Sequence, residues 1–130
     1  MRATKRLLGA LTLGAALATG VSGCVAVAAA GAATAGVLYV RGELRSTVNA
    51  DVPAVVESAE RAVNEMGFSL VSAASDEAEG EVIARTARDR RVQIRVRSEG
   101  DNVSRYTIRV GSFGDEALSR TIDENIRAGL

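Results

Sequence analysis

The sequence predicts an α+β domain of two layers: a mostly antiparallel sheet of about five strands, with two helices on one face. Three observations carry that prediction. Apolar and polar residues alternate in several short stretches between Leu38 and Val110, the period of half-buried strands. Two other stretches, Asp51–Gly67 and Asp115–Ile126, repeat apolar residues at helical spacing. Strands with one apolar and one polar face need cover on one side only, and two amphipathic helices supply it.

Taken in order, Leu38–Val48 reads as the first strand, with Leu38, Val40, Leu44 and Val48 on one face and Tyr39, Arg41, Glu43, Arg45 and Thr47 on the other. Asp51 suits a helix N-cap and Pro53 is tolerated in a first turn. Val52, Val55, Val56, Ala59, Val63 and Met66 then form the buried stripe, and Gly67 suits the left-handed position that ends helices. Glu57 and Arg61 stand four apart, acid first, on the exposed side. Phe68–Ala73 is a short apolar run read as a second strand, and Ser75–Gly80 an acidic loop.

Val82, Ala84 and Thr86 share one face of a third strand, and Val92, Ile94 and Val96 one face of a fourth, with a tight turn around Asp89 between them. Glu99-Gly100-Asp101-Asn102 is turn chemistry, and Tyr106, Ile108 and Val110 face inward on a fifth strand. Asp115 caps a last helix in which Leu118, Ile122 and Ile126 repeat. Glu116–Arg120 and Asp123–Arg127 are two further acid-first pairs. The element order is therefore β-α-β-β-β-β-α.

Ahead of this domain the chain has the layout of a secretory signal. Arg2, Lys5 and Arg6 precede an uncharged, Leu- and Ala-rich run from Leu7 to Gly20, and small residues follow as far as Cys24. Removing residues 1–23 leaves 107 residues, about one small domain. Val25–Val40 is a second uncharged run, shorter than the ~20 apolar residues a spanning helix needs. It reads as a Gly/Ala-rich tether over residues 24–36 leading into a domain over 37–130. An ordinary cleaved signal and an uncleaved membrane span are the alternatives for the N-terminal part.

Composition narrows the chemistry. The part after Gly23 holds 13 Arg, no Lys and 16 acids, a net charge near −3, which argues against a nucleic-acid partner. The chain has no His, no Trp and a single Cys. Cys–His nucleophiles, Ser-His-Asp triads and the usual zinc or haem ligand sets are thereby removed. No catalytic residue, metal site or cofactor is expected, and an enzyme is not. One Cys also argues against a disulfide framework.

Val21-Ser22-Gly23-Cys24 resembles the lipobox of bacterial lipoproteins. The resemblance implies cleavage between Gly23 and Cys24 and lipidation, including palmitate, on Cys24. Two or three acyl chains give durable anchoring where one is marginal. Val25, not Asp, follows the Cys, which in that family points to the outer membrane. Together with the tether, the strand-like YVRGELRSTV and the closing RVGSFGDEALSRTIDENI, the chain resembles a family of small bacterial lipoproteins of unassigned function. Gly111–Ser119 is the most specific part. The resemblance implies a periplasm-facing domain on a membrane anchor and brings no activity with it. In topology the chain is also similar to helix-grip domains of outer-membrane assembly lipoproteins.

One constellation stands out. Residues 85–109 hold eight Arg against Asp89, Glu99 and Asp101. With Val96 facing Tyr106 and Ile94 facing Ile108, Arg97 falls opposite Arg105. Pairing Thr86 with Val92 sets Glu81 opposite Arg97. Arg85, Arg95, Arg97, Arg105 and Arg109 against Glu81 then leave an outward face at +4. Arg95, Arg97, Arg105 and Arg109 are the candidate anion-binding residues, since guanidinium forks suit phosphate and carboxylate. A solvated face that discourages aggregation explains them equally. The Phe113-Gly114-Asp115 corner serves either helix entry or a ligand. Two functions are expected. The first is a non-catalytic envelope lipoprotein that is structural or binds an envelope protein or anionic envelope component. The second is a carrier or sensor of a small anionic or lipidic ligand, which calls for a deep apolar pocket.

Overall fold

A computed structural model of the chain describes residues 36–130; the expected signal peptide, Cys24 and the expected tether up to residue 35 lie outside the described residues. Strand β1 (Val37–Val40) and strand β2 (Glu43–Val48) lead into helix α1 (Val52–Glu65). Strands β3 (Ser69–Ser75), β4 (Glu79–Arg85), β5 (Arg91–Gly100) and β6 (Val103–Val110) follow, and helix α2 (Glu116–Ala128) closes the order. The class is the expected α+β. The sheet has six strands in the order β1-β2-β6-β5-β4-β3, every neighbouring pair antiparallel.

The sixth strand comes from dividing the first predicted one. Arg41 and Gly42 both take positive φ, 53° and 82°, the backbone of a two-residue hairpin turn. The usual signature of that turn is Asn-Gly or Asp-Gly, and Arg-Gly concealed it. The chain folds back, so Tyr39 faces Leu44 and packs on the core, while Leu38 faces Arg45 and is exposed. The expected facing of Leu38 and Tyr39 is thus reversed.

Both helices form as their caps dictate. The Asp51 carboxylate accepts from the Ala54 N–H at 2.9 Å, and Asp115 does the same for Leu118 at 3.0 Å. Val52, Val55, Val56, Ala59, Ala62 and Val63 of α1 meet Ile122 and Ile126 of α2 and the inward residues of β2, β4, β5 and β6 in one core. The helices are tied to each other where Ser58 Oγ donates to the Ile126 carbonyl at 2.6 Å. α1 lies close on the sheet at Gly80, where an added Cβ would come within 2.4 Å of Val56 Cγ2.

Two local readings change. The acidic loop is shorter than expected: Asp76 accepts the N–H groups of Ala78 and Glu79 at 2.7 and 2.8 Å, and Glu79 and Gly80 already belong to β4. Thr86 lies outside the ladder. Its N–H bonds the Arg90 carbonyl at 3.0 Å, enclosing a three-residue turn with Asp89 at φ 61°. The β4–β5 register is therefore two residues from the expected one. Ala84 faces Val92, Glu81 faces Arg95 and Glu79 faces Arg97. A shift of two keeps every side chain on its expected face.

The two acid-first pairs on α2 differ from each other. Glu116–Arg120 is exposed, at 2.8 Å. Asp123 is 5% exposed and accepts from Tyr106 Oη at 2.5 Å and Arg127 Nε at 3.1 Å. Arg127 Nη2 also donates to Ser46 Oγ. Helix α2 is thus joined to β2 and β6 by a buried polar network. Burial, and then the hydrogen bond to Asp123, pushes the Tyr106 phenol well above its ordinary range.

Candidate functional site

The face of the sheet opposite the helices is open to solvent. Arg97 and Arg105 stand opposite each other across β5 and β6, as the hairpin register required. Arg95 faces Thr107 and Arg109 faces Gln93 in the same ladder. All four candidate arginines therefore project from this face. The sequence reading placed one carboxylate among them, and the fold places four. Glu81 lies 3.6 Å from Arg95, Glu79 3.7 Å from Arg97, Glu99 3.3 Å from Arg105 and Glu43 3.6 Å from Arg109.

Those carboxylates arrive from three directions. Glu79 and Glu81 come from β4, Glu99 from the end of β5, and Glu43 from β2, which lies beside β6 although it is far away in the chain. Glu81 also accepts from Gln93 Nε2 at 2.7 Å, and Glu43 is shared between Arg109 and Arg45. The expected excess of +4 is too large. Arg45, Arg85, Arg91 and the four candidates stand against these four glutamates and Asp89, leaving an excess of two. A shallow concavity of about 360 Å³ over Arg95, Arg97 and Arg105 also contains Glu43 and Glu99. An anion entering there meets carboxylates as well as guanidinium groups.

The stronger cationic feature lies at one end of the sheet. A cleft of about 550 Å³ is lined by Arg85, Arg90, Arg91, Arg109 and Phe113, and by one carboxylate, Asp89. The β4–β5 turn and the loop between β6 and α2 form its walls, and the β1–β2 turn braces the loop. Gly42 and Gly114, both at φ 82°, pass back to back. A Cβ on Gly114 would lie 2.5 Å from Gly42 Cα and 2.6 Å from Tyr39 Oη, and one on Gly42 would lie 2.8 Å from the Phe113 carbonyl. Only glycine allows both the conformation and the approach.

Polar contacts hold the walls in place. Asp115 accepts from Arg90 Nη1 at 2.9 Å while its other oxygen caps α2. The Leu118 N–H first, and then Arg90, hold the Asp115 carboxyl below the usual carboxylate range. Arg109 Nη2 donates to the Ser112 carbonyl at 2.9 Å. Arg85 donates to the Asp89 carboxylate at 3.1 Å and to its carbonyl at 3.2 Å. The braced loop leaves Phe113 95% exposed.

Arg41, Glu43 and Glu79 were not legible as parts of a site, whereas Glu81 was already read among the outward arginines. Phe113 was legible only as part of the Phe113-Gly114-Asp115 corner, read as serving either helix entry or a ligand. Among the described residues no cluster of three or more His, Cys, Asp or Glu is placed to hold a metal ion. No helix among them is long and apolar enough to cross a membrane. Cys24 and the Gly23–Cys24 bond lie outside the described residues.

No curated protein matches the chain. Residues 6–129 match the family described as Protein of unknown function (DUF3568), and the chain belongs to that family.

Proposed function

We propose that this chain is a lipid-anchored, non-catalytic domain of the bacterial envelope, held by acyl groups on Cys24 and facing the periplasm from the outer membrane. Its role is structural or partner-binding. The observation that carries the reading is the Val21-Ser22-Gly23-Cys24 segment behind a charged start and an apolar run, with the first strand starting soon after it, at Val37. The folded part supports the same role. Its core is closed over by two helices, the four candidate arginines each meet a surface glutamate, and Asp51 and Asp115 cap the helices.

The alternative, a carrier or sensor of a small ligand, calls for an enclosed apolar cavity. The clefts described above are open and walled by arginines and carboxylates, which favours docking of a surface over enclosure of a molecule. Radiolabelled palmitate is expected to enter the wild-type chain and to be lost in Cys24→Ala. Continued labelling of that variant would overturn the anchor. Recovery in inner-membrane fractions would overturn the outer-membrane assignment.

A further inference from the structure

Arg41, Arg88 and Arg91 are exposed and make no ion pair among the described residues. The four candidate arginines, by contrast, each have a glutamate beside them. The three come from the β1–β2 turn, the β4–β5 turn and the start of β5. All of these meet at the end of the sheet that carries the Gly111–Gly114 loop. The acids nearby are already engaged: Asp89 with Arg85, Asp115 with Arg90, Glu43 with Arg45 and Arg109, and Glu116 with Arg120. This end is therefore locally cationic on a domain that is net acidic.

Phe113 lines the cleft with Arg91, next to the Arg41-Gly42 turn, and is 95% exposed. An aromatic ring in water forgoes its burial energy, and here the loop bearing it is braced by the Gly42–Gly114 contact. A projecting ring beside unpaired cations matches the boundary of a bilayer. Apolar side chains enter at the level of the headgroups, and Arg or Lys meet anionic lipid there.

We infer that this end of the domain docks on a bilayer surface containing anionic phospholipid, with Phe113 entering the interface and Arg41, Arg88 and Arg91 meeting the phosphates. The inference rests on the anchored reading for the bilayer it names. The chain from Cys24 to Val37 spans at most about 45 Å when fully extended. Val37 begins the short strand that ends at the Arg41-Gly42 turn. The docking end is thus tethered near any bilayer that holds Cys24.

The chain has no Trp, so Phe113→Trp introduces a single reporter at an exposed position. The full chain carrying it is reconstituted into phosphatidylcholine vesicles with and without phosphatidylglycerol, and acylation of Cys24 is read by mass in the same sample. With phosphatidylglycerol, the tryptophan emission is expected to shift to the blue and to be quenched by bromine-labelled acyl chains. Adding Arg88→Gln and Arg91→Gln should lower the docked-to-free ratio on the order of fivefold per arginine. Added salt should lower it further.

Solvent-like emission in the phosphatidylglycerol vesicles, with Cys24 acylated, overturns docking and leaves the anchor standing. The same blue shift from inorganic phosphate alone, without vesicles, overturns docking in favour of a soluble-anion site. Quenching that ignores both phosphatidylglycerol and the arginine changes overturns the headgroup assignment. A Cys24→Ser chain that carries no acyl group yet still shows the quenching supports docking. In that event it is the wild type's failure to acylate that would remove the anchor.

Discussion

Arginine–carboxylate pairs lie on both faces of the sheet, and only one set is removed from water. On the helix side, buried Asp123, Tyr106 and Ser46 are joined by the partly buried Arg127. On the open side, Arg95, Arg97, Arg105 and Arg109 meet glutamates at 3.3–3.7 Å with between 28% and 75% of each side chain in solvent. The chemical groups are the same. Water screens the outer pairs to somewhere near 0–1 kcal/mol each. In the inner network Tyr106, Ser46 and Asp123 have no solvent to replace a missing partner, while Arg127 keeps 30% of its side chain in water. The inner set secures the docking of α2 on the sheet, and the outer set mainly neutralises a face.

The sharpest way to break this comparison is Asp123→Ala. It strands the Tyr106 hydroxyl and leaves the Arg127 guanidinium without its carboxylate. The expected cost is about 2–3 kcal/mol, read as a drop in the urea midpoint. A loss under about 1 kcal/mol would place the network on the same footing as the surface pairs.

Gly114→Ala tests the brace instead of the charges. The left-handed backbone costs about 1–3 kcal/mol with a side chain, and the clash with Gly42 and Tyr39 adds to it. Thermal unfolding should report the loss. Gly67→Ala also places a side chain at positive φ but meets nothing within 4 Å. It should cost less, and the difference isolates the close approach.

The third test is alkaline. The Tyr106 phenol titrates higher in the folded chain than in the unfolded one. Its contribution is fully present below the unfolded value of about 10 and is lost as pH rises from there toward the folded value. Stability should fall above about pH 10, by at most about 1.4 kcal/mol per pH unit from this group. Tyr106→Phe should flatten that decline in denaturant titrations across the alkaline range. An unchanged slope would mean that the phenol is not what opposes ionisation.

The smallest effect is expected outside. Arg95→Gln with Arg97→Gln should lower stability by no more than about 0.5 kcal/mol per site, with the melting temperature nearly in place. Arg105→Glu relieves the repulsion from Arg97 but sets a carboxylate beside Glu99. Its net effect should stay within about 0.5 kcal/mol of zero. A fall of several kcal/mol in either case would move these side chains from the surface into the fold's support.

Much of the fold was legible because its signals are local. Asp51 and Asp115 announce helix starts through an acceptor placed before an apolar stripe, and both cap as expected. The alternation in Val92–Val96 and Tyr106–Val110 assigns faces without knowledge of neighbours. The apolar faces, Val96 on Tyr106 and Ile94 on Ile108, fix the β5–β6 register and with it Arg97 opposite Arg105, and an irregularity between Ser98 and Gly100 reconciles it with the turn. Where the turn was atypical the reading slipped. Arg41-Gly42 hid a hairpin and reversed the facing of Leu38 and Tyr39. Placing the β4–β5 turn on Asp89 moved Glu79 and Glu81 by one pair each.

The sequence by itself determined the class, both helices, the core-facing residues from Leu44 onward on the helices and on β2, β5 and β6, and the outward aim of the four candidate arginines. Periodicity and caps act over a few residues and need no partner to be read. Only the tertiary structure decided what those arginines meet. Glu43 reaches Arg109 because β2 lies against β6, a pairing between strands separated by α1 and three other strands. It also decided that Asp123 is buried while Glu116 is not. An amphipathic period marks the stripe of a helix but not how closely its margin sits on the sheet. The convergence of Arg41, Arg88, Arg91 and Phe113 at one end was decided in the same way, by turns distant in sequence brought together when the strands took their places.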